Sequence, residues 1–179
     1  MKKKWLLIIV SAILLLTLVV GCQARGTNPK SEGETRTITD MAGRELVIAT
    51  NIEKVYSTSA IGSVFLYTLA PDKLAGWNDT LRESEKKFIA AEYQQLPNLG
   101  RWKGSSPTGS IEDLLKTNPD IIISVGDVSP EYIGDSEAIQ MKTGIPVIMI
   151  DGSVQKTAEA YRFLGSLIGE SERAEELAA

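Results

Sequence analysis

The sequence predicts a three-layer α/β lobe built on a mainly parallel sheet. Three observations carry that expectation. From Thr35 onward, short apolar runs alternate with helix-like stretches, the order that a parallel sheet flanked by helices requires. Residues 121–125 are apolar apart from Ser124, as in a strand buried on both faces. Helix start and stop residues such as Ser110, Asn118 and Pro130 fall between the runs rather than within them.

The elements follow in order. Residues 35–39 and 45–49 flank the turn-like Asp40-Met41-Ala42-Gly43, which predicts a small β-hairpin. Residues 54–58 read as a strand and 61–69 as a helix closed by Ala70-Pro71-Asp72. A second short strand is expected over 73–77, and a helix over 81–93. Ser110 can cap a helix, with Asp113 three residues on as the acid that reaches back. Asn118-Pro119-Asp120 ends that helix and leads into the strand at 121–125. Ser129-Pro130 opens another helix, since proline is favoured at the first helical position. Gly144-Ile145-Pro146 leads into a strand over 147–150. A final helix is expected from about Val154 to Ala179, with Ala158, Tyr161, Leu164 and Ile168 near one face; Gly165 and Gly169 weaken it. The sum is a Rossmann-like alternation that stops inside an amphipathic helix, so the chain is expected to be truncated.

Composition excludes several chemistries. There is no histidine, which removes His-based nucleophilic catalysis and His-ligated zinc or haem. A single cysteine, Cys22, leaves no internal disulfide and no cysteine metal cluster. The net charge of −4 argues against nucleic acid as a partner. No strand is followed by a G-x-G-x-x-G loop or a phosphate-loop lysine motif.

The N-terminus reads as an address. Lys2, Lys3 and Lys4 precede an apolar run from Trp5 to Val20, shorter than the ~20 residues of a membrane-spanning helix. It ends in Leu18-Val19-Val20-Gly21-Cys22, which resembles the bacterial lipobox. That resemblance implies cleavage before Cys22, lipidation of Cys22 and an extracytoplasmic protein anchored to the cell membrane. Asn28 to Glu34 is polar and aperiodic, a flexible tether.

In open parallel sheets, ligands sit at the carboxyl ends of strands. Four segments fall there. Ser57-Thr58-Ser59-Ala60 offers hydroxyls and helix N–H groups to an anionic ligand, and Thr58 or Ser59 can equally cap the helix. Trp77-Asn78 and Arg101-Trp102 place an aromatic beside polar groups. Such pairs suit a large, flat or anionic chelate, although a core tryptophan is the usual alternative. Ser124-Val125-Gly126-Asp127 allows close backbone approach at Gly126 and a hydrogen bond to Asp127; an ordinary strand-to-helix turn explains it as well. Glu112 sits on the first turn of a helix, where the dipole alone favours an acid.

The segments ITDMAGRELVI, KVYSTSA, LAPDKLAGW, LPNLGRW, SIEDLLKTNPDIIIS, GIPVIMI and FLGSLIGESERAEEL occur in that order. Together they resemble the N-terminal lobe of ABC-transporter solute-binding proteins of the iron–siderophore and cobalamin type. The resemblance implies two α/β lobes joined by one long helix, with ligand held between them. On this chain it implies a signal peptide at 1–21, a lipidated tether at 22–34, a ligand-binding lobe at 35–153 and the start of the connecting helix at 154–179. The second lobe is absent from the sequence. It further implies that Trp102 contacts ligand, that Trp77-Asn78 line the cleft, and that Glu112 docks on an arginine pocket of the permease. The ligand-binding set is therefore Ser59, Trp77, Asn78, Arg101, Trp102 and Asp127, with no catalytic residue, no resident metal and no cofactor. The expected cargo is an iron(III)–siderophore; cobalamin, haem and molybdate stay open. So do two other classes, an extracytoplasmic hydrolase with paired carboxylates and a non-binding interaction lipoprotein.

Overall fold

The computed structural model describes residues 33–102 and 106–179. Residues 1–32, on which the expected signal peptide, Cys22 and most of the expected tether fall, lie outside the described residues. Among those described, no helix is long and apolar enough to cross a membrane.

Strands β1 (Thr35–Thr39) and β2 (Glu45–Ala49) form the expected antiparallel hairpin, with Thr35 opposite Ala49. Leu46 and Ile48 alternate inward, the period of a half-buried strand. Asp40 organises the turn. Its carboxylate accepts from the N–H of Ala42 (3.0 Å) and Arg44 (2.9 Å), and from the Arg44 guanidinium at 2.6 Å. The same carboxylate accepts from Met149 N–H at 3.1 Å.

The parallel sheet has β4 (Ile121–Gly126) between β3 (Val55–Ser57) and β5 (Val147–Asp151). Ile122 lies opposite Tyr56 on one side and Val147 on the other. β4 is buried over its first five residues, which is why its sequence is almost wholly apolar. The hairpin turn closes the free edge of β5: Met41 N–H donates to Met149 O (3.1 Å) and Arg44 to Val147 O (2.6 Å). An otherwise open strand edge is thus covered.

Helices lie on both faces. α1 (Ala60–Leu69) packs on the face carrying Val55, Ile121, Ile123 and Ile148, in one core with the hairpin. The other face, with Tyr56 and Ile122, is covered by α3 (Ile111–Thr117) and α4 (Pro130–Thr143) through Leu114 and Ile139. α3 starts as expected, with Asp113 N–H donating to the Ser110 hydroxyl, and stops at Asn118 in the left-handed conformation. The Asp113 carboxylate pairs with Lys116 (3.3 Å).

Three expectations are corrected. Residues 73–77 form no strand; isolated parallel bridges join Leu74 to Val55 and Trp77 to Asn98. The helix expected over 81–93 shrinks to α2 (Glu83–Lys86). Side chains claim the backbone beyond it: the Gln94 amide donates to Lys86 O and Ile89 O, and Ala90 N–H donates to the Tyr67 hydroxyl. The single helix expected over 154–179 is two, α5 (Thr157–Ile168) and α6 (Ser171–Ala178). Gly169, at φ +84°, takes the left-handed position that ends α5, and both its N–H and that of Glu170 turn back to Gly165 O. α6 then packs against α5, with Ala174 buried beside Gly165 and Arg162 paired with Glu175 (2.9 Å).

Candidate ligand-binding face

The carboxyl ends of β3, β4 and β5 and the loops that follow them make one surface. Ser59 caps α1 through a long hydrogen bond from Gly62 N–H (3.5 Å), and its hydroxyl reaches Val125 O at 3.4 Å. It is half-buried and joins the end of β3 to the end of β4. Next to it, Thr58 is wholly buried. Its backbone donates to Ile123 O and accepts from Trp102 N–H (3.1 Å), yet its hydroxyl has no partner among the described residues.

Trp102 is half-buried over the core of Tyr56 and Leu99. Its ring sits directly on Gly109, where an added Cβ would come within 2.2 Å of the indole nitrogen, so glycine is required there. The indole N–H is buried and also lacks a partner among the described residues. It lies beside the Tyr56 hydroxyl without making a hydrogen bond of good geometry. Burial pushes the Tyr56 phenol well above its ordinary range, with Asn78 and Trp102 pulling it down. Orphaned buried donors are uncommon, and each calls for an explanation. A third such atom, Arg36 Nε, belongs to a guanidinium that already donates to Leu167 O (2.6 Å), far along the chain from this surface.

Arg101 is exposed and pairs with Asp79 at 3.4 Å. Asp127 is exposed, and one carboxylate oxygen accepts from Ser129 N–H (2.9 Å), the turn that opens α4. Asp151 repeats that geometry at the end of β5 with Ser153 N–H (2.9 Å). The Ser153 backbone and hydroxyl hold its carboxyl below the ordinary range, so it is charged at neutral pH. Gly126, Asp127, Asp151 and Gly152 line a shallow concavity of about 420 Å³. A second, of about 440 Å³, lies between Arg101, Trp102 and Pro107 on one side and Ile139 and Lys142 of α4 on the other. Among the described residues no group of three or more acidic or cysteine side chains gathers to hold a metal ion.

Trp77 and Asn78 are more deeply set than the other expected contacts. Trp77 exposes only 7% of its surface, stacks obliquely on Tyr67 and donates its indole N–H to Tyr93 O (2.8 Å). Asn78 is buried, and its amide is occupied by Tyr56, Ser57, Ser63 and Gly100. Although buried, both line a small concavity of about 180 Å³ together with Ser63, Val64 and Leu81. Glu112 is exposed on the first turn of α3 and pairs with Lys116 (3.0 Å). Sequence reasoning missed Tyr56; a phenol within an apolar strand was the available signal, since a buried hydroxyl needs a partner.

No protein-family model and no curated protein matches this chain by sequence. Solved structures do. An ABC transporter solute-binding protein from Sulfurospirillum deleyianum is 25% identical, with a TM-score of 0.68 over 80% of this chain and 45% of its own. A periplasmic solute-binding protein from Veillonella parvula gives a TM-score of 0.61 at 20% identity, over 81% and 44%. A molybdate periplasmic binding protein of a Haemophilus influenzae ABC transporter gives 0.60 at 16%, over 80% and 49%. Haem-binding and siderophore-binding proteins share the same fold. The chain therefore has the fold of a single lobe of ABC transporter solute-binding proteins. It spans less than half the length of these three structures.

Proposed function

We propose that this chain is the membrane-anchored, extracytoplasmic solute-binding lipoprotein of an ABC importer. Its lobe captures an iron(III)–siderophore or similar metal chelate and delivers it to the permease. It is a binding protein and not an enzyme, and the metal is cargo that arrives wrapped in its chelator. The observation that carries the reading is the face at the strand ends, where Arg101 and Trp102 line one concavity and Asp127 another; beneath it Thr58 Oγ1 and Trp102 Nε1 are buried with no partner among the described residues. A flat, oxygen-rich ligand would rest on the half-buried Trp102 ring, and the exposed Arg101 would offset its charge. Ser59, Arg101, Trp102 and Asp127 are the contacts; Trp77 and Asn78 support them from below. The single-lobe fold shared with solute-binding proteins adds support. The three N-terminal lysines, the apolar run and the lipobox-like Val20-Gly21-Cys22 support export and a lipid anchor on Cys22. Glu112, exposed at the start of α3, is the residue that docks on the permease.

The test is equilibrium dialysis of membranes carrying the full chain against iron(III)–desferrioxamine, cyanocobalamin, haemin and molybdate. Saturable uptake of the ferric chelate with Kd of ~1 μM or below, weakened by Trp102→Ala, is expected. Saturation by another member of the panel would reassign the cargo. Binding of none, or conversion of any, would overturn the reading. Intact-mass analysis of wild type and Cys22→Ala reports the anchor: the added lipid mass should vanish in the variant.

A further inference from the structure

We propose that Tyr56 and Asn78 are positioning residues: a buried hydrogen-bonded latch that fixes the loop carrying Arg101 and Trp102. The part of this inference that concerns ligand rests on the function proposed above; the part that concerns the loop does not.

Tyr56 is fully buried in β3, and its hydroxyl donates to Gly100 O. Asn78 Nδ2 lies 2.8 Å from Ser57 O, 3.1 Å from Gly100 O and 3.1 Å from the Tyr56 hydroxyl. Two of those three groups are carbonyls, which only accept, so the amide nitrogen must face them and the side chain has one orientation. Its oxygen is then turned to the Ser63 hydroxyl of α1 at 2.5 Å. One amide thus ties β3, α1 and the 100–102 segment together. The neighbouring residue completes the grip, because Asp79 pairs with the Arg101 side chain (3.4 Å).

The consequence falls on Trp102. Gly100 is held by the latch, the Trp102 backbone is held two residues later by Thr58 O, and Arg101 O accepts from both Thr108 and Gly109 N–H at 2.9 Å. The loop is pinned on each side of Arg101, and the indole is pressed on Gly109 with no partner for its N–H among the described residues. A fully satisfied polar network buried where apolar side chains would pack more cheaply specifies one arrangement of what it holds. What it holds here is the aromatic ring of the ligand-binding face.

The experiment uses ¹⁵N-labelled full chain in detergent micelles, whose indole N–H resonances arise from Trp5, Trp77 and Trp102 and are assigned with Trp102→Phe. Trp77 is an internal control, since its N–H is bonded to Tyr93 O in the core. Tyr56→Phe keeps the ring and removes the hydroxyl. We expect the Trp102 resonance to shift or broaden while Trp77 stays in place, and affinity for iron(III)–desferrioxamine to fall about tenfold. Ser63→Ala, which loosens the latch from α1, should move the same resonance by less and gives the answer if Tyr56→Phe fails to fold. A Trp102 signal unmoved in both variants, or one that moves only together with Trp77, would overturn the latch. A wild-type chain that ignores the ferric probe would overturn the ligand reading while the spectra still decide the latch.

Discussion

The two ends of the parallel sheet are finished differently. At the amino end, polar groups meet partners: the Asp120 carboxylate accepts from Glu53 and Lys54 N–H at 2.8 Å each, and Gln140 accepts from Val147 N–H at 2.9 Å. The free edge of β5 is closed in the same way by Asp40 and Arg44. At the carboxyl end, the Thr58 hydroxyl and the Trp102 indole N–H are buried with no described partner. One fold holds both regimes. Paired groups hold the lobe together, and the two donors without a described partner lie next to the half-buried Ser59 and the exposed Arg101.

The largest effect is expected where the closed regions are strongest. Asp40→Ala should destabilise the lobe by about 3–5 kcal/mol in urea unfolding, because it strands the half-buried Arg44 and the Met149 N–H. A loss below ~1 kcal/mol would show that the hairpin clamp is not what secures that edge. Asp120→Ala removes the acceptor of two backbone N–H groups that water can reach, so about 1 kcal/mol is expected in the same assay. At the open end the currency changes from stability to affinity. Trp102→Phe should leave the urea midpoint almost in place and weaken ferric-chelate binding several-fold in dialysis, since it trims the half-buried ring and deletes an N–H with no partner among the described residues. An equal effect on both readouts would make Trp102 a packing residue. The smallest change is expected for Glu112→Ala, where only an exposed pair with Lys116 is lost. The unfolding midpoint and chelate binding should not move, while ferric-chelate uptake by cells carrying the variant should drop.

The same contrast explains what was legible in the sequence. The buried strand read at 121–125, the hairpin and the starts of α3 and α4 were readable, because apolar runs, turn residues and caps act locally. Helix ends fixed by distant partners were not. Gln94 and Tyr67 end the segment after α2 from outside it, and the break at Gly169 depends on α6 finding a place against α5. Among site residues, Arg101, Trp102, Ser59 and Asp127 fall on the surface where strand ends were expected to place them. Trp77 and Asn78 share the same local signature and are interior, since Tyr93 O and the Tyr56 hydroxyl, remote in sequence, satisfy them. Local pattern located the loops; it could not say which side chain in a loop turns inward.

The most direct test is a calorimetric titration of the full chain with iron(III)–desferrioxamine, comparing wild type with Trp102→Ala. Trp102 is half-buried and lines the concavity beside Arg101, so its ring is the largest contact this face can offer a flat chelate. Wild type is expected to bind the probe, and Trp102→Ala to bind it at least several-fold more weakly. Undiminished binding by Trp102→Ala would contradict the proposed function, because the aromatic ring would then have no part in holding ligand.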